Sequence, residues 1–111
     1  MTIKDITPTK IPEVFIIRHI THSDKRGEFS EIYQQLDFQE IPIQHNFVQD
    51  NYVRTAKGAL RGLHYQIENP QGKLLTVIHG DLFDVSVDLR RSSPTFGQHV
   101  SVELTADNKH Q

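Results

Sequence analysis

The chain has 111 residues, no cysteine and a formal net charge of −2. This length fits one domain with room for a hydrophobic core, and the charge gives no bulk attraction to nucleic acids or anionic membranes. Nucleic-acid-binding surfaces often interleave basic and aromatic residues along one stripe, and this sequence has no such stripe. No run approaches the ~20 apolar residues of a membrane span, and no apolar signal-peptide region is expected at the N-terminus. The lack of cysteine excludes disulfides and thiolate sites and fits a cytoplasmic protein.

The hydrophobic pattern predicts many short strands and almost no helix. The first twelve residues contain two prolines and indicate an irregular or edge segment. Turn residues fill 23–27, a short helical turn is expected at 37–41, and 68–72 is a predicted loop. In chain order, the predicted strands are 14–20, 28–34, 46–54, 59–67, 73–78, 81–89 and 97–104. Such spacing favours an antiparallel sandwich or jelly roll.

The dipeptide His79-Gly80 predicts a tight hairpin turn between the strands 73–78 and 81–89. In that register Lys73 and Asp84 share one face with aliphatic side chains, while the other face resembles an ordinary core. A half-polar face on a central strand indicates the lining of a cavity. The alternative is a solvent-exposed face with a cross-strand ion pair of little energetic weight.

The strongest chemical signal is the stretch 60–66, which contains Arg61 and His64 and is followed by Lys73. A guanidinium, an imidazole and an ammonium can together bind an anionic ligand, remove a proton and stabilise the resulting oxyanion. A spacing of three places Arg61 and His64 on opposite faces of a strand unless Gly62 introduces a bend. The alternative is a structural histidine that is satisfied by a backbone group.

Two further groups of polar residues are candidates for ligand binding. Arg26, just before a predicted strand, can meet a phosphate with its planar fork, while Phe29 can stack on a nucleobase and Glu31 lies on the same face. Gln49 and Asn51 alternate onto one face, where both can donate and accept hydrogen bonds. The alternatives are a charged hairpin tip and the polar face of an amphipathic strand.

No metal site is expected. The position that would complete an H-x-H pair with His64 is occupied by Gln66, and the spacing of Glu68 and His79 is unfavourable for recruitment as ligands. Glycine-rich phosphate loops and G-x-S-x-G are absent. No i,i+2 or i,i+4 pair occurs among the seven histidines, which are His19, His22, His45, His64, His79, His99 and His110.

Taken together and in this order, the motifs resemble those of the dTDP-4-dehydrorhamnose 3,5-epimerases, a nucleotide-sugar branch of the cupins. The similarity runs from about residue 11 to residue 111. The matching positions are Arg26-Gly27, Phe29, Glu31, 47–51, Gly58, 60–66, 72–74, Gly80, 83–85, 87–88 and 93–97. The resemblance implies that residues 1–111 are a single cupin-like domain with an all-β, jelly-roll fold, and that the protein is a homodimer with shared strands.

The resemblance also implies roles for the candidate residues. His64 is implied to be the base that removes the protons at C3 and C5 of dTDP-4-dehydro-6-deoxyglucose, beside the C4 ketone. Lys73 is implied to stabilise the enolate oxygen, and Arg61 to contact the diphosphate region. No metal or organic cofactor is implied. The residues implied to bind nucleotide or sugar, partly across the dimer interface, are Arg26, Phe29, Glu31, Gln49 and Asn51.

The family also uses a tyrosine acid and an aspartate that orients the base, both from positions beyond Gln111. The jelly roll is therefore expected to be incomplete at its C-terminus, and residues 1–111 alone are expected to show little or no epimerase activity. The alternatives are a non-catalytic cupin module that binds a nucleotide sugar, and a related 3- or 5-epimerase or isomerase of dTDP-keto sugars.

Overall fold

The computed structural model describes residues 2–42 and 46–111. Within these residues the strands form three antiparallel two-stranded sheets, β1 with β2, β3 with β4 and β5 with β6. In chain order, the elements are β1 (Ile3–Pro8), β2 (Phe15–His19), β3 (Thr21–Asp24), β4 (Gly27–Ser30), α1 (Gln35–Phe38), β5 (Asp81–Val87) and β6 (His99–Thr105). No helical segment in the described ranges has the length and apolarity that crossing a bilayer requires.

Several predicted elements are confirmed with shifted ends. The predicted strands 14–20, 81–89 and 97–104 correspond to β2, β5 and β6, and the N-terminal segment forms an edge strand, β1, against β2. The strand predicted at 28–34 ends at Ser30, and part of the predicted turn is strand β3. The helical turn begins earlier than predicted because the Gln34 side chain accepts hydrogen bonds from two backbone N–H groups of α1.

The strands predicted at 46–54, 59–67 and 73–78 are not formed, and no residue from 46 to 78 belongs to a ladder. The predicted hairpin at His79-Gly80 is also wrong, since β5 pairs with β6 instead. A strand exists only where a neighbour supplies hydrogen bonds, so a correct alternating pattern does not suffice where the described residues provide no partner. Gly80 instead accepts a hydrogen bond from the Ala106 N–H at 3.1 Å.

The main hydrophobic cluster joins β2 to α1 and the residues that follow it. Its buried members are Ile17, Phe38 and Ile41. The Phe38 ring lies 4.9 Å from the Tyr33 ring and 6.3 Å from the Phe47 ring, centroid to centroid, in tilted and T-shaped arrangements typical of aromatic pairs. Phe38 therefore fixes the path of the chain on both sides of the helix.

Gln111 connects β2 to two distant segments. Its backbone exchanges two hydrogen bonds with Ile17, at 2.8 and 2.9 Å. Its side-chain amide donates to the Thr76 hydroxyl at 2.6 Å and to the Ile32 carbonyl at 3.1 Å, while its oxygen lies 2.5 Å from Nε2 of His19. His19 is itself buried, and its Nδ1 has no hydrogen-bond partner among the described residues.

A second polar centre, around the buried Asp88, ties the end of β5 to the turn between β1 and β2. The Asp88 carboxylate accepts hydrogen bonds from the guanidinium of Arg90 and from the hydroxyls of Ser93 and Thr95, both at 2.6 Å. Arg90 also pairs with both carboxylate oxygens of Glu13, at 2.8 and 2.9 Å. The hydrogen bonds from Arg90, followed by those from Ser93 and Thr95, hold the pKa of Asp88 well below its usual range.

Candidate functional site

The β3–β4 hairpin holds one group of the predicted binding residues. Its register pairs His22 with Phe29 and Asp24 with Gly27, which leaves a two-residue loop of Lys25 and Arg26. Directly opposed residues and residues two apart share a face of an antiparallel pair. His22, Asp24 and Phe29 therefore project from the same face of the hairpin, next to the loop that carries Arg26.

Asp24 and Arg26 form a closely paired carboxylate and guanidinium at the hairpin tip. Oδ2 of Asp24 accepts from Nη2 of Arg26 at 2.6 Å and from Nε at 3.0 Å, and Oδ1 accepts from the Arg26 backbone N–H at 2.8 Å. These hydrogen bonds lower the pKa of Asp24, and the same carboxylate raises the pKa of Arg26. Both side chains remain exposed to solvent.

An open depression of about 360 Å³ lies at this tip. The Phe29 side chain is 64% exposed there, although it is a large apolar group. The depression contains Arg26 and Phe29, two of the predicted binding residues, whereas Glu31 follows the end of β4 and its face is not fixed by the ladder. The lining residues are His22, Ser23, Asp24, Arg26, Gly27, Glu28 and Phe29.

The second group of predicted site residues lies on segment 46–78, where every residue from 48 to 73 is exposed. The Gln49 amide donates to Oδ1 of Asn51 at 3.1 Å, so these two side chains lie together as predicted. Nε of Arg61 donates to the Thr55 hydroxyl at 3.0 Å. In the part of the chain that the structure describes, no hydrogen bond or ion pair joins this segment to the β3–β4 hairpin.

A bend does occur at Gly62, between Arg61 and His64. Its φ of +86° is a left-handed conformation that favours glycine. A Cβ atom at this position would lie 3.3 Å from Nδ1 of His64, so the missing side chain also gives the imidazole its space. A substitution at Gly62 would therefore strain the backbone and crowd His64 at once.

His64 and Lys73 are exposed, and neither side chain has a hydrogen bond or ion pair to another described residue. Lys73 and Asp84, which both lie in the described part of the chain, do not form a cross-strand ion pair. The Asp84 carboxylate instead accepts a hydrogen bond from the Ser86 hydroxyl at 3.4 Å. The imidazole and the ammonium are thus open to a ligand.

Within residues 2–42 and 46–111, no group of three or more histidine, aspartate or glutamate side chains is arranged to hold a metal ion. His45, one of the histidines considered as ligands, lies outside the described residues. The sequence patterns missed the pairing of Asp24 with Arg26. The signal was the D-x-R spacing across a two-residue turn, which brings the two side chains to one tip.

A family model described as dTDP-4-dehydrorhamnose 3,5-epimerase matches residues 8–111. A Pseudomonas aeruginosa protein of that name is 51% identical over 108 residues, which cover 95% of this chain and 59% of the relative. A Shigella flexneri protein of the same name is 48% identical and is covered over 60% of its length.

Two solved structures are similar to this fold. The Legionella pneumophila dTDP-6-deoxy-D-glucose-3,5-epimerase in complex with dTDP-4-keto-L-rhamnose matches with a TM-score of 0.91 and 49% identity, over 96% of this chain and 57% of that one. The Bacillus anthracis dTDP-4-dehydrorhamnose 3,5-epimerase with TDP and PPi bound gives 0.86 and 34%, over 96% and 62%. The chain thus spans less than two thirds of each relative. The predicted all-β, cupin jelly-roll fold is confirmed by this likeness.

Proposed function

Since the chain belongs to the dTDP-4-dehydrorhamnose 3,5-epimerase family, we propose that it is such an epimerase, or the part of one that carries the base and the enolate stabiliser, and that it acts at C3 and C5 of dTDP-4-dehydro-6-deoxyglucose in dTDP-rhamnose biosynthesis. The observation that carries this proposal is the match of the family model over residues 8–111. Relatives that bear the name of this activity, at 51% and 48% identity, support it. The roles below extend the resemblance to individual residues of this chain.

The proposed chemistry begins with removal of a proton from a carbon next to the C4 ketone. Such protons are acidic because the electron pair left behind delocalises into the carbonyl as an enolate. We assign His64 as the base, since a histidine can accept a proton near neutral pH. The exposure of His64 and its lack of a hydrogen-bonding partner among the described residues are consistent with a ring that meets substrate.

We assign Lys73 as the group that stabilises the enolate oxygen. The negative charge there develops only during the reaction, so an ammonium aimed at it favours the transition state over bound substrate. Delivery of a proton to the opposite face of the same carbon then re-forms the C–H bond with inverted configuration and restores the ketone. The resemblance gives that delivery to a tyrosine of the family.

The remaining predicted residues are proposed to hold the nucleotide and sugar. Arg26 offers a planar fork to a phosphate, and the exposed ring of Phe29 can stack on a base. Arg61 is proposed to contact the diphosphate region, and Glu31, Gln49 and Asn51 to hydrogen-bond nucleotide or sugar. The Bacillus anthracis relative, with TDP and PPi bound, supports a ligand of this class.

The test is incorporation of solvent deuterium at C3 or C5 of dTDP-4-dehydro-6-deoxyglucose in D2O, followed by NMR. Exchange needs only the base and the enolate stabiliser, so it isolates the proposed roles of His64 and Lys73. We expect exchange with the wild type and its loss in His64→Ala and Lys73→Met. His99→Ala is the matched control, because His99 is an exposed histidine on β6 with no proposed role.

The pattern of exchange separates the two functional classes. Exchange that survives in His99→Ala and disappears in His64→Ala supports an epimerase that uses His64. A wild type that binds dTDP without any exchange would contradict the proposed roles of His64 and Lys73 in this chain and favour a nucleotide-sugar-binding module or an incomplete enzyme.

We also propose that the protein is a homodimer, as the resemblance implies, and that it acts in the cytoplasm, which the lack of cysteine fits. Segment 46–78 supports the dimer because it exposes large apolar side chains, including Leu60 at 93% and Ile67 at 85%. Exposed apolar surface of this kind marks interaction sites, and extended backbone without a ladder can pair with another chain.

Sedimentation velocity tests the dimer. We expect the wild type to sediment as a dimer and Leu60→Glu to shift it toward monomer. Leu36→Glu on α1 is the control, since Leu36 is also exposed but lies outside this segment. A monomeric wild type, or equal behaviour of the two variants, would contradict a dimer built on 46–78.

A further inference from the structure

The proposed function uses Arg26 but gives no role to the carboxylate beside it. Asp24 accepts four hydrogen bonds from Arg26. The backbone N–H donates to Oδ1 at 2.8 Å, Nε donates to Oδ1 and Oδ2 at 3.2 and 3.0 Å, and Nη2 donates to Oδ2 at 2.6 Å. Asp24 is the last residue of β3, and Arg26 belongs to the two-residue loop that joins β3 to β4. The carboxylate therefore fixes both the turn and the direction of the arginine side chain.

We propose that Asp24 is a positioning residue that holds the Arg26 guanidinium ready for the diphosphate of a nucleoside-diphosphate ligand. This inference rests on the proposed function, because it takes the nucleotide as the ligand at the hairpin tip. It assigns Asp24 no contact with the ligand itself.

The geometry of the pair leaves the arginine free to bind. A guanidinium has five N–H donors, and Asp24 engages only the side of the fork formed by Nε and Nη2. The end of the fork, with both hydrogens of Nη1 and one of Nη2, stays open for two parallel hydrogen bonds to a phosphate. Asp24 therefore orients the group without competing for its binding edge.

The hairpin also lines up the two parts of a nucleotide site. Phe29 and Asp24 share one face, with the loop that carries Arg26 at its end. Gly27 lies between Arg26 and Phe29 in the chain, and a Cβ atom at Gly27 would have no neighbour within 4 Å. A base stacked on Phe29 can thus extend its diphosphate toward Arg26 over an open backbone.

Positioning and simple electrostatics predict opposite effects of removing the carboxylate. Loss of a negative charge beside the ligand would by Coulomb attraction alone strengthen the binding of a diphosphate. Loss of orientation leaves a long side chain to be ordered at the moment of binding, which weakens affinity by about 2- to 10-fold. The sign of the change therefore identifies which role Asp24 has.

The experiment measures the dissociation constants of dTDP and thymidine by calorimetry for the full chain and Asp24→Asn. Asparagine keeps an oxygen for the Arg26 N–H and thus the turn, but it loses the charge that holds the guanidinium. Asp5→Asn is the matched control, because Asp5 pairs with Arg18 across β1 and β2 at similar distances, 3.0 and 2.6 Å. Urea midpoints check that the variants keep their stability.

We expect Asp24→Asn to bind dTDP about 2- to 10-fold more weakly, with thymidine binding and the urea midpoint unchanged, and Asp5→Asn to match the wild type. In the Arg26→Gln background the Asp24→Asn change should have no further effect on dTDP, because Asp24 acts only through Arg26. A merely structural role would weaken both ligands equally.

Three results would overturn the inference. If the wild type prefers dTDP to thymidine but Asp24→Asn binds dTDP equally tightly or more tightly, Asp24 has no positioning role and the proposed function still stands. An equal loss for both ligands would make the effect structural. If the wild type binds dTDP and thymidine equally well, the diphosphate contributes nothing to binding. That result would contradict both the proposed phosphate contact of Arg26 and this inference.

Discussion

Replacing Phe38 with alanine is expected to lower the free energy of unfolding by about 3–5 kcal/mol. Phe38 is 4% exposed and lies in the cluster with Ile17 and Ile41. A buried aromatic side chain removes about 150–250 Å² from water, which at about 25 cal/mol per Å² corresponds to roughly 4–6 kcal/mol as an upper bound. Alanine retains part of this area, and the space left behind costs contacts to Tyr33 and Phe47.

Urea unfolding of the wild type, Phe38→Ala, Phe38→Leu and Leu36→Ala measures this effect. Leu36 lies on the same helix but is 66% exposed, so its replacement should change stability by less than about 0.5 kcal/mol. Phe38→Leu keeps most of the apolar area and should fall between the two. Equal midpoints for Phe38→Ala and Leu36→Ala would refute the conclusion that α1 is held by this ring.

Three further predictions concern the polar contacts and one turn. Hydrogen bonds keep the folded-state pKa of Asp88 below its unfolded value. The ionised carboxylate therefore contributes to the free energy of unfolding above about pH 4, and this contribution is lost as the pH falls below that. The gap in urea midpoint between the wild type and Asp88→Asn should therefore narrow below about pH 4, and a constant gap would contradict this. Gln111→Ala should cost about 1–3 kcal/mol because it leaves the buried His19 ring without its partner, and Asp107→Ala, at an exposed position, is the comparison. Gly80→Ala should cost about 1 kcal/mol in a thermal melt, since φ is +84° and no neighbour is crowded, while Gly80→Asn should cost less.

The local hydrophobic pattern was sufficient to predict a strand where the strand and its partner lie close in the sequence, or where the alternation of the strand already shows which face is buried. β2, β5 and β6 are examples, and the polar turn between β3 and β4 was recognised by its residues. The pattern failed over 46–78, since alternation shows which side chains share a face but not which chain segment supplies the ladder. Pro8 agrees with the predicted edge segment, because proline is tolerated at the end of an edge strand such as β1.

The candidate site shows the same division. Arg26 and Phe29 were predicted from residue type and spacing and do lie together, as do Gln49 and Asn51. The Asp24 contact was missed because a carboxylate two residues from an arginine pairs with it only if the turn folds back. The burial of Asp88 was also missed, because it depends on the hydroxyls of Ser93 and Thr95, which follow the predicted strand 81–89 and belong to no predicted element.

The arrangement around Asp88 bears on where this chain can be altered by insertion. Residues 90–97 are a connection between two strands, and such connections ordinarily accept extra residues or a fused tag. Here Ser93 and Thr95 bind the same carboxylate oxygen, and Arg90 pairs with Glu13 in the turn between β1 and β2. An inserted residue between 90 and 95 would separate these groups, so the connection behaves as a fixed part of the framework. The exposed loop at 68–72 has no such anchor among the described residues.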